Sequence, residues 1–285
     1  MKIDSHQHFW EYDTDSYRYE WIDDSMEILK QDFMPGDLEP ELADAGFDGC
    51  ITVQADQSER ETNFLLHLAD EHDFIKGVVG WVDLKSPKLE ERLVHFDQYE
   101  KLKGFRHILQ GEPAGTMLDE RFLNGIQALQ KTRFRYDILI FENQLHECVR
   151  FVNLFPEMHF VVDHIAKPVI KESSFEDWAS SMEKLSNFPN LCVKLSGMVT
   201  EADWDHWHAK DFIPYLETCL EYFGADRLMI GSDWSVCLLA AEYEEVIGIV
   251  EEFLEGLSKT EYDDIMGETA TKFYQLNDYG STSQR

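Results

Sequence analysis

One unit recurs along this chain: a short β-rich run, a polar turn, then a segment with helical amphipathicity. The strand-like runs cover 2–8, 50–56, 75–83, 102–109, 136–140, 159–165, 192–197 and 228–233. Helix-like segments lie between them, among them 59–71, 120–130, 144–154, 175–185, 212–222 and 243–257, and 259–274 follows the last run. Strands that alternate with helices predict a parallel sheet, and eight is the number that closes a (β/α)8 TIM barrel. The rival is an open doubly wound sheet, but no glycine-rich phosphate loop follows the first strand. No stretch has linker composition. Residues 1–276 are therefore expected to form a single α/β barrel domain, and 277–285 a flexible C-terminal tail.

Alternation within the strands sorts the polar side chains by face. In the seventh run Val193 and Leu195 suit an outer face, which turns Lys194 and Ser196 inward. In the fourth, Phe105 suits the outside and Arg106 the inside. In the first, Ile3 is expected outside, with Asp4, His6 and His8 inside. Val162 and His164 share the inner face of the sixth run, Gly231 and Asp233 that of the eighth. Charged groups thus converge on the C-terminal mouth, where barrel enzymes place their chemistry.

His6, His8, His164 and Asp233 all stand at strand ends. Alone, each histidine would read as a hydrogen-bonded structural residue. Together they supply three neutral imidazoles and a carboxylate, a ligand set suited to zinc or a similar divalent ion. Asp233, kept ionised beside a metal or cationic group, could take a proton from water and pass it to a leaving group.

Trp10, Trp81 and Trp234 lie beside strand ends and could offer apolar faces to a ring, with ordinary packing as the plain alternative. Gln54 and Asp56 end the second strand, where they could bind hydroxyls or cap a helix; Lys194 is a further hydroxyl partner. His107 is expected to face outward unless a bulge turns it in, and stays a candidate on that condition. His206 and His208 form a second HxH in a charged, tryptophan-rich run and read as surface or loop residues. Arg106 is the one arginine placed at a strand's mouth, since Arg227 starts the eighth strand at the opposite end.

Lys and Arg number 25 against 56 Asp and Glu, a formal charge of −31. Phosphate contacts need a basic face, so this balance argues against a nucleic-acid partner and disfavours a polyanionic substrate. Five cysteines, scattered without a CxxC pair, speak against a disulfide framework or zinc ribbon. No basic stretch followed by an apolar run opens the chain, and no apolar run approaches membrane-span length. A soluble, cytoplasmic protein without a membrane partner is expected.

The runs DSHQHFW, KGFRHILQ, VVDHIAKP, VKLSG and IGSDWSV, in this order, resemble the amidohydrolase superfamily. More narrowly, they are similar to its sugar-lactone hydrolases of the L-fucono- and L-rhamnono-lactonase type, a branch that also contains 2-pyrone-4,6-dicarboxylate lactonase. The resemblance spans residues 2–274. It implies a (β/α)8 barrel that opens an aldonolactone to its hydroxy acid, with Asp233 and His164 catalytic and His6, His8, His164 and Asp233 as metal ligands. Binuclear relatives add a lysine or glutamate at strand four and a histidine at strand five. Here strand four offers Arg106 and His107, and 136–140 has no histidine. One divalent ion, zinc by preference, is therefore expected, or none, with the histidines and Arg106 polarising the carbonyl directly. Arg106, Trp10, Gln54, Trp81, His107, Lys194 and Trp234 are the substrate-binding candidates. A dicarboxylate would call for several cations, so one arginine favours a neutral polyol lactone. The alternatives are a dicarboxylate lactonase, a metal-dependent decarboxylase of the same superfamily, and a silent sugar-binding barrel. A homo-oligomer is compatible with the sequence.

Overall fold

The computed structural model describes residues 1–12, 19–172 and 175–276, so the tail expected at 277–285 lies outside the described residues. Eight parallel strands follow one another around the sheet in chain order. They are β1 (Ile3–Gln7), β2 (Gly49–Val53), β3 (Ile75–Gly80), β4 (Leu102–Ile108), β5 (Arg135–Leu139), β6 (Phe160–Val162), β7 (Leu191–Leu195) and β8 (Leu228–Ile230). After them in turn come α1 (Pro35–Asp44), α2 (Glu59–Glu71), α3 (Leu89–Phe96), α4 (Glu120–Leu129), α5 (Leu145–Asn153), α6 (Phe175–Ser186), α7 (Ile213–Phe223) and α8 (Tyr243–Leu254). Closure comes just beyond the strands: Asp233 N donates to His6 O (2.8 Å) and His8 N to Trp234 O (2.6 Å). The expected (β/α)8 barrel is the fold.

Local sequence explains the helix starts. Ser58 caps α2 by accepting from Glu61 N, and Asp119 caps α4 by accepting from Arg121 N and Phe122 N. The final helical segment is not continuous as expected. It runs as α9 (Lys259–Asp263), a π-turn (Asp264–Glu268) and α10 (Thr269–Tyr274), and the π-turn carries Ile265 and Met266 into the core.

Two apolar layers result. Outside the sheet, rings such as Phe105, Phe122, Tyr136, Phe151 and Phe160 fill the space beneath the helices. Each such side chain contributes about 1.5–3 kcal/mol by leaving water. Inside, Ile3, Ile51, Val53, Val79, Val161 and Met229 fill the lower lumen, and Phe273 and Tyr274 of α10 join them.

Two parity expectations reverse. Asp4 pairs with Cys50 but Gln7 with Thr52, so β1 carries one extra residue, a bulge. Ile3 therefore faces the lumen, whereas Asp4 faces outward, where it accepts from Ser232 Oγ (2.6 Å) and Tyr243 OH (3.3 Å). The bulge returns His6 to the lumen. In β6 the inner residue is Val161, and Val162 packs outside. No helix among the described residues is long and apolar enough to cross a membrane.

Candidate active site at the barrel mouth

Three stretches of backbone deliver the polar cluster. The bulged end of β1 brings His6 and His8, whose Nε2 atoms lie 3.3 Å apart. After β6, parity continues from Val161 to Asp163, and the chain then turns through four left-handed residues, His164 to Lys167, with φ of 54°, 48°, 63° and 48°. Such conformations cost on the order of 1–3 kcal/mol each in non-glycine residues and gather at functional sites. Here the turn swings His164 inward beside Asp163. Gly197, at φ 60°, makes room for it: a Cβ there would stand 2.5 Å from His164 Nδ1. Asp233 follows β8, itself left-handed at φ 58°.

Asp233 is the neighbour all three rings share, and the side chains fall into two overlapping triads, His6–His8–Asp233 and His6–Asp163–His164. Asp233 Oδ1 lies 3.4 Å from His8 Nε2 and 3.8 Å from both His6 Nε2 and His164 Nε2. A tetrahedral zinc ion with bonds of about 2.0–2.1 Å keeps its ligand atoms roughly 3.3–3.5 Å apart. The opposite ring nitrogens are also held, as metal-binding imidazoles require. His8 Nδ1 donates to Val53 O (2.7 Å), a carbonyl that can only accept, which turns Nε2 toward Asp233. His164 Nδ1 meets Ser196 Oγ at 2.9 Å. His6 Nδ1 lies 3.3 Å from Asp163 Oδ1 and 3.1 Å from Lys194 Nζ. His6, His8 and Asp233 offer donor atoms close enough together to suit one divalent ion, with His164 Nε2 3.8 Å from the same Asp233 oxygen.

Beneath the cluster runs a buried ionic network. Lys194 Nζ contacts Asp137 Oδ2 (2.6 Å) and Asp163 Oδ1 (3.0 Å), and Tyr274 OH donates to Asp137 Oδ2 (2.7 Å). Arg106 Nη1 donates to Asp163 Oδ2 (3.0 Å) and lies 3.3 Å from His6 Nε2, and its Nη2 donates to Gln54 O. Burial, with Lys194 beside it, pushes the His6 imidazole well below its ordinary pKa, and burial does the same to His164. Both rings are neutral at pH 7. Burial pushes Asp163 up, but Lys194, His6 and Arg106 outweigh it, and the carboxyl sits well below its usual range. Asp233 behaves alike: burial raises it, and His164 and His8 bring it below its ordinary value.

Above the cluster opens a cavity of about 290 Å³, floored by His8, Arg106, His164 and Asp233. The other candidates lie elsewhere. Trp10 is fully buried among Tyr19, Trp21 and Phe33, its Nε1 donating to Gln31 O (2.9 Å). Trp234 packs on Phe9 and Phe33. Trp81 Nε1 donates to His107 Nδ1 (3.4 Å), and His107 rests on Phe122 outside the barrel, because β4 and β5 pair without a bulge at that point. Gln54 brackets Arg106, its amide donating to Arg106 O (3.1 Å). Lys194 lies under the histidines, out of the cavity. Asp56 does not cap α2, a place Ser58 takes; its own N–H donates to Glu61 Oε2 (2.7 Å). His206 is exposed beside Asp203 (3.3 Å). The cavity walls instead include Trp21, Lys167, Glu201 and Trp204, which the sequence does not single out; nor does it single out Asp163, which lies beneath the cluster against His6, Arg106 and Lys194. Asp163 shares parity with Val161, and a reading that turns Val162 and His164 inward puts that face outside, so the sequence carries no signal for it.

A closed barrel whose mouth gathers three imidazoles, a carboxylate and a cavity defines the class of barrel hydrolases that act on small molecules. The sequence profile of the Amidohydrolase family matches residues 3–276, and the chain belongs to that family. It is 40% identical to L-fucono-1,5-lactonase of Burkholderia multivorans, over 97% of this chain and 96% of that protein. It is 35% identical to L-fucono-1,5-lactonase of Burkholderia ambifaria, over 85% of this chain and 83% of that one. The crystal structure of an amidohydrolase from Burkholderia multivorans with bound zinc matches it with a TM-score of 0.94 at 39% identity, covering 97% of this chain and 99% of that one.

Proposed function

We propose that this chain hydrolyses the lactone of a six-carbon deoxy sugar acid, L-fucono-1,5-lactone being the type substrate, to the open hydroxy acid. The observation that carries the reading is the convergence of His6, His8, His164 and Asp233 under one cavity. It stands in a chain 40% identical to an L-fucono-1,5-lactonase along nearly its whole length.

The Nε2 atoms of the three histidines, with Asp233, would hold one divalent ion, zinc by the chemistry of the donor set. When bound, such an ion polarises a carbonyl and acidifies water. Asp233 is the proton carrier: ionised at pH 7, it takes the proton of the attacking water and returns it to the departing ring oxygen. His8 and His164, fixed by Val53 O and Ser196 Oγ, aim their Nε2 atoms at the reacting group. Arg106 directs Nη1 to the Asp163 carboxylate and Nη2 to Gln54 O, so its charge is already paired and it holds Asp163 in place against His6 Nδ1. That supports a neutral lactone over a dicarboxylate.

Acid release across a panel of 1,4- and 1,5-aldonolactones tests the reading. Turnover of L-fucono-1,5-lactone above that of hexonolactones with a 6-hydroxyl is expected. No release from any sugar lactone would overturn it.

A further inference from the structure

We propose that Lys167 and Glu201 form a pair that reads the hydroxyl groups of the substrate ring, an inference that rests on the lactonase reading above. Lys167 ends the left-handed turn after β6, and Glu201 ends the 3-10 turn Val199–Glu201 after β7, so adjacent loops at the mouth carry them. Their charged atoms lie 3.0 Å apart, and both side chains line the cavity that His164 and Asp233 floor. The side chains are only 14% and 18% exposed, unlike the solvated pairs on the helices.

Two facts separate this pair from a structural salt bridge. Among the described residues, neither charged group makes a further polar contact: Lys167 Nζ otherwise only stands 6.0 Å from the Phe141 ring. An ammonium has three donors and a carboxylate about four acceptor sites, so most of that capacity stays unspent within the cavity's reach. The neighbouring wall is apolar, made of Trp21, Leu139, Trp204 and Val236. The Trp204 indole N–H is already used, donating to Thr200 O (2.9 Å), so the ring can offer only its apolar surface.

A hydroxyl both donates and accepts. Adjacent ring hydroxyls can therefore donate to Glu201 and accept from Lys167 at once, while the ring's C–H surface and its methyl group meet the indoles. The pair is neutral overall and adds no net charge against a neutral ligand. It would give specificity for a polyhydroxylated lactone without taking part in bond cleavage. A site built around such hydrogen bonds discriminates strongly against an analogue that lacks them.

The test compares L-fucono-1,5-lactone with δ-valerolactone, which has the same six-membered ring and no hydroxyls. Glu201→Gln and Lys167→Met should each lower kcat/KM for the sugar lactone by roughly 10- to 100-fold, mostly through KM. Turnover of δ-valerolactone should stay within about 3-fold of wild type, which also reports that the variants are folded and chemically competent. Equal losses on both substrates would make the pair structural or catalytic and overturn the proposal, as would no loss on either. A wild type that opens neither lactone would instead sink the lactonase reading, and the proposed role with it.

Discussion

Asp233 keeps its charge in an enclosed place because His164 and His8 face it, reversing what burial alone would do. Asp233→Asn preserves shape but cannot accept a proton, so kcat/KM should fall at least ~10²-fold with the fold intact by circular dichroism. A variant with near wild-type rate would remove Asp233 from the mechanism. His6, His8 and Asp233 were legible in the sequence because HxH spacing and strand-end position survive any small error in boundaries. Asp163 was not, since the turn after Val162 depends on left-handed backbone at His164 and Ile165, which periodicity does not encode. Trp10 and Trp234 misled for a related reason. A tryptophan beside a strand end serves core and cavity equally well in sequence, and here Phe33 and Phe9 draw both into packing.

Between β2 and α2, one turn braces the cavity wall. Glu61 Oε2 accepts from Ala55 N (3.0 Å) and Asp56 N (2.7 Å), and Trp21 Nε1 donates to Ala55 O (3.0 Å). Burial raises the Glu61 carboxyl to about 8. A carboxyl with a raised folded pKa contributes stability that is complete below its unfolded value. That stability is lost as pH rises toward the folded one. Glu61→Gln removes the proton from this balance. Its melting temperature should gain on wild type between pH 5 and pH 8, and a constant gap across that range would contradict the assignment. At this scale the sequence was clear where capping chemistry and periodicity agree, as in α2, found at Glu59–Glu71 as expected. The β1 bulge was hidden, because register belongs to a pair of strands and neither one's sequence carries it.

Across the whole molecule, closure of the sheet turns distant segments into one site. Residues in or just after β1, β4, β6 and β8, up to 227 positions apart between His6 and Asp233, meet only because the barrel's last strand returns to its first. The barrel was readable from eight alternating runs; the cavity walls, made by loops without periodicity, were not. The acidic surface acts on the same substrate choice as the cavity. A formal charge of −31 repels anions at long range, and the cavity's two cationic side chains, Arg106 and Lys167, are both paired with carboxylates. An anionic lactone is therefore disfavoured on approach and poorly held on arrival. The ratio of kcat/KM for L-fucono-1,5-lactone to that for 2-pyrone-4,6-dicarboxylate, measured at neutral pH on one preparation, tests this most directly. A ratio of at least ~10² is expected; a ratio below one would contradict a cavity built for a neutral lactone.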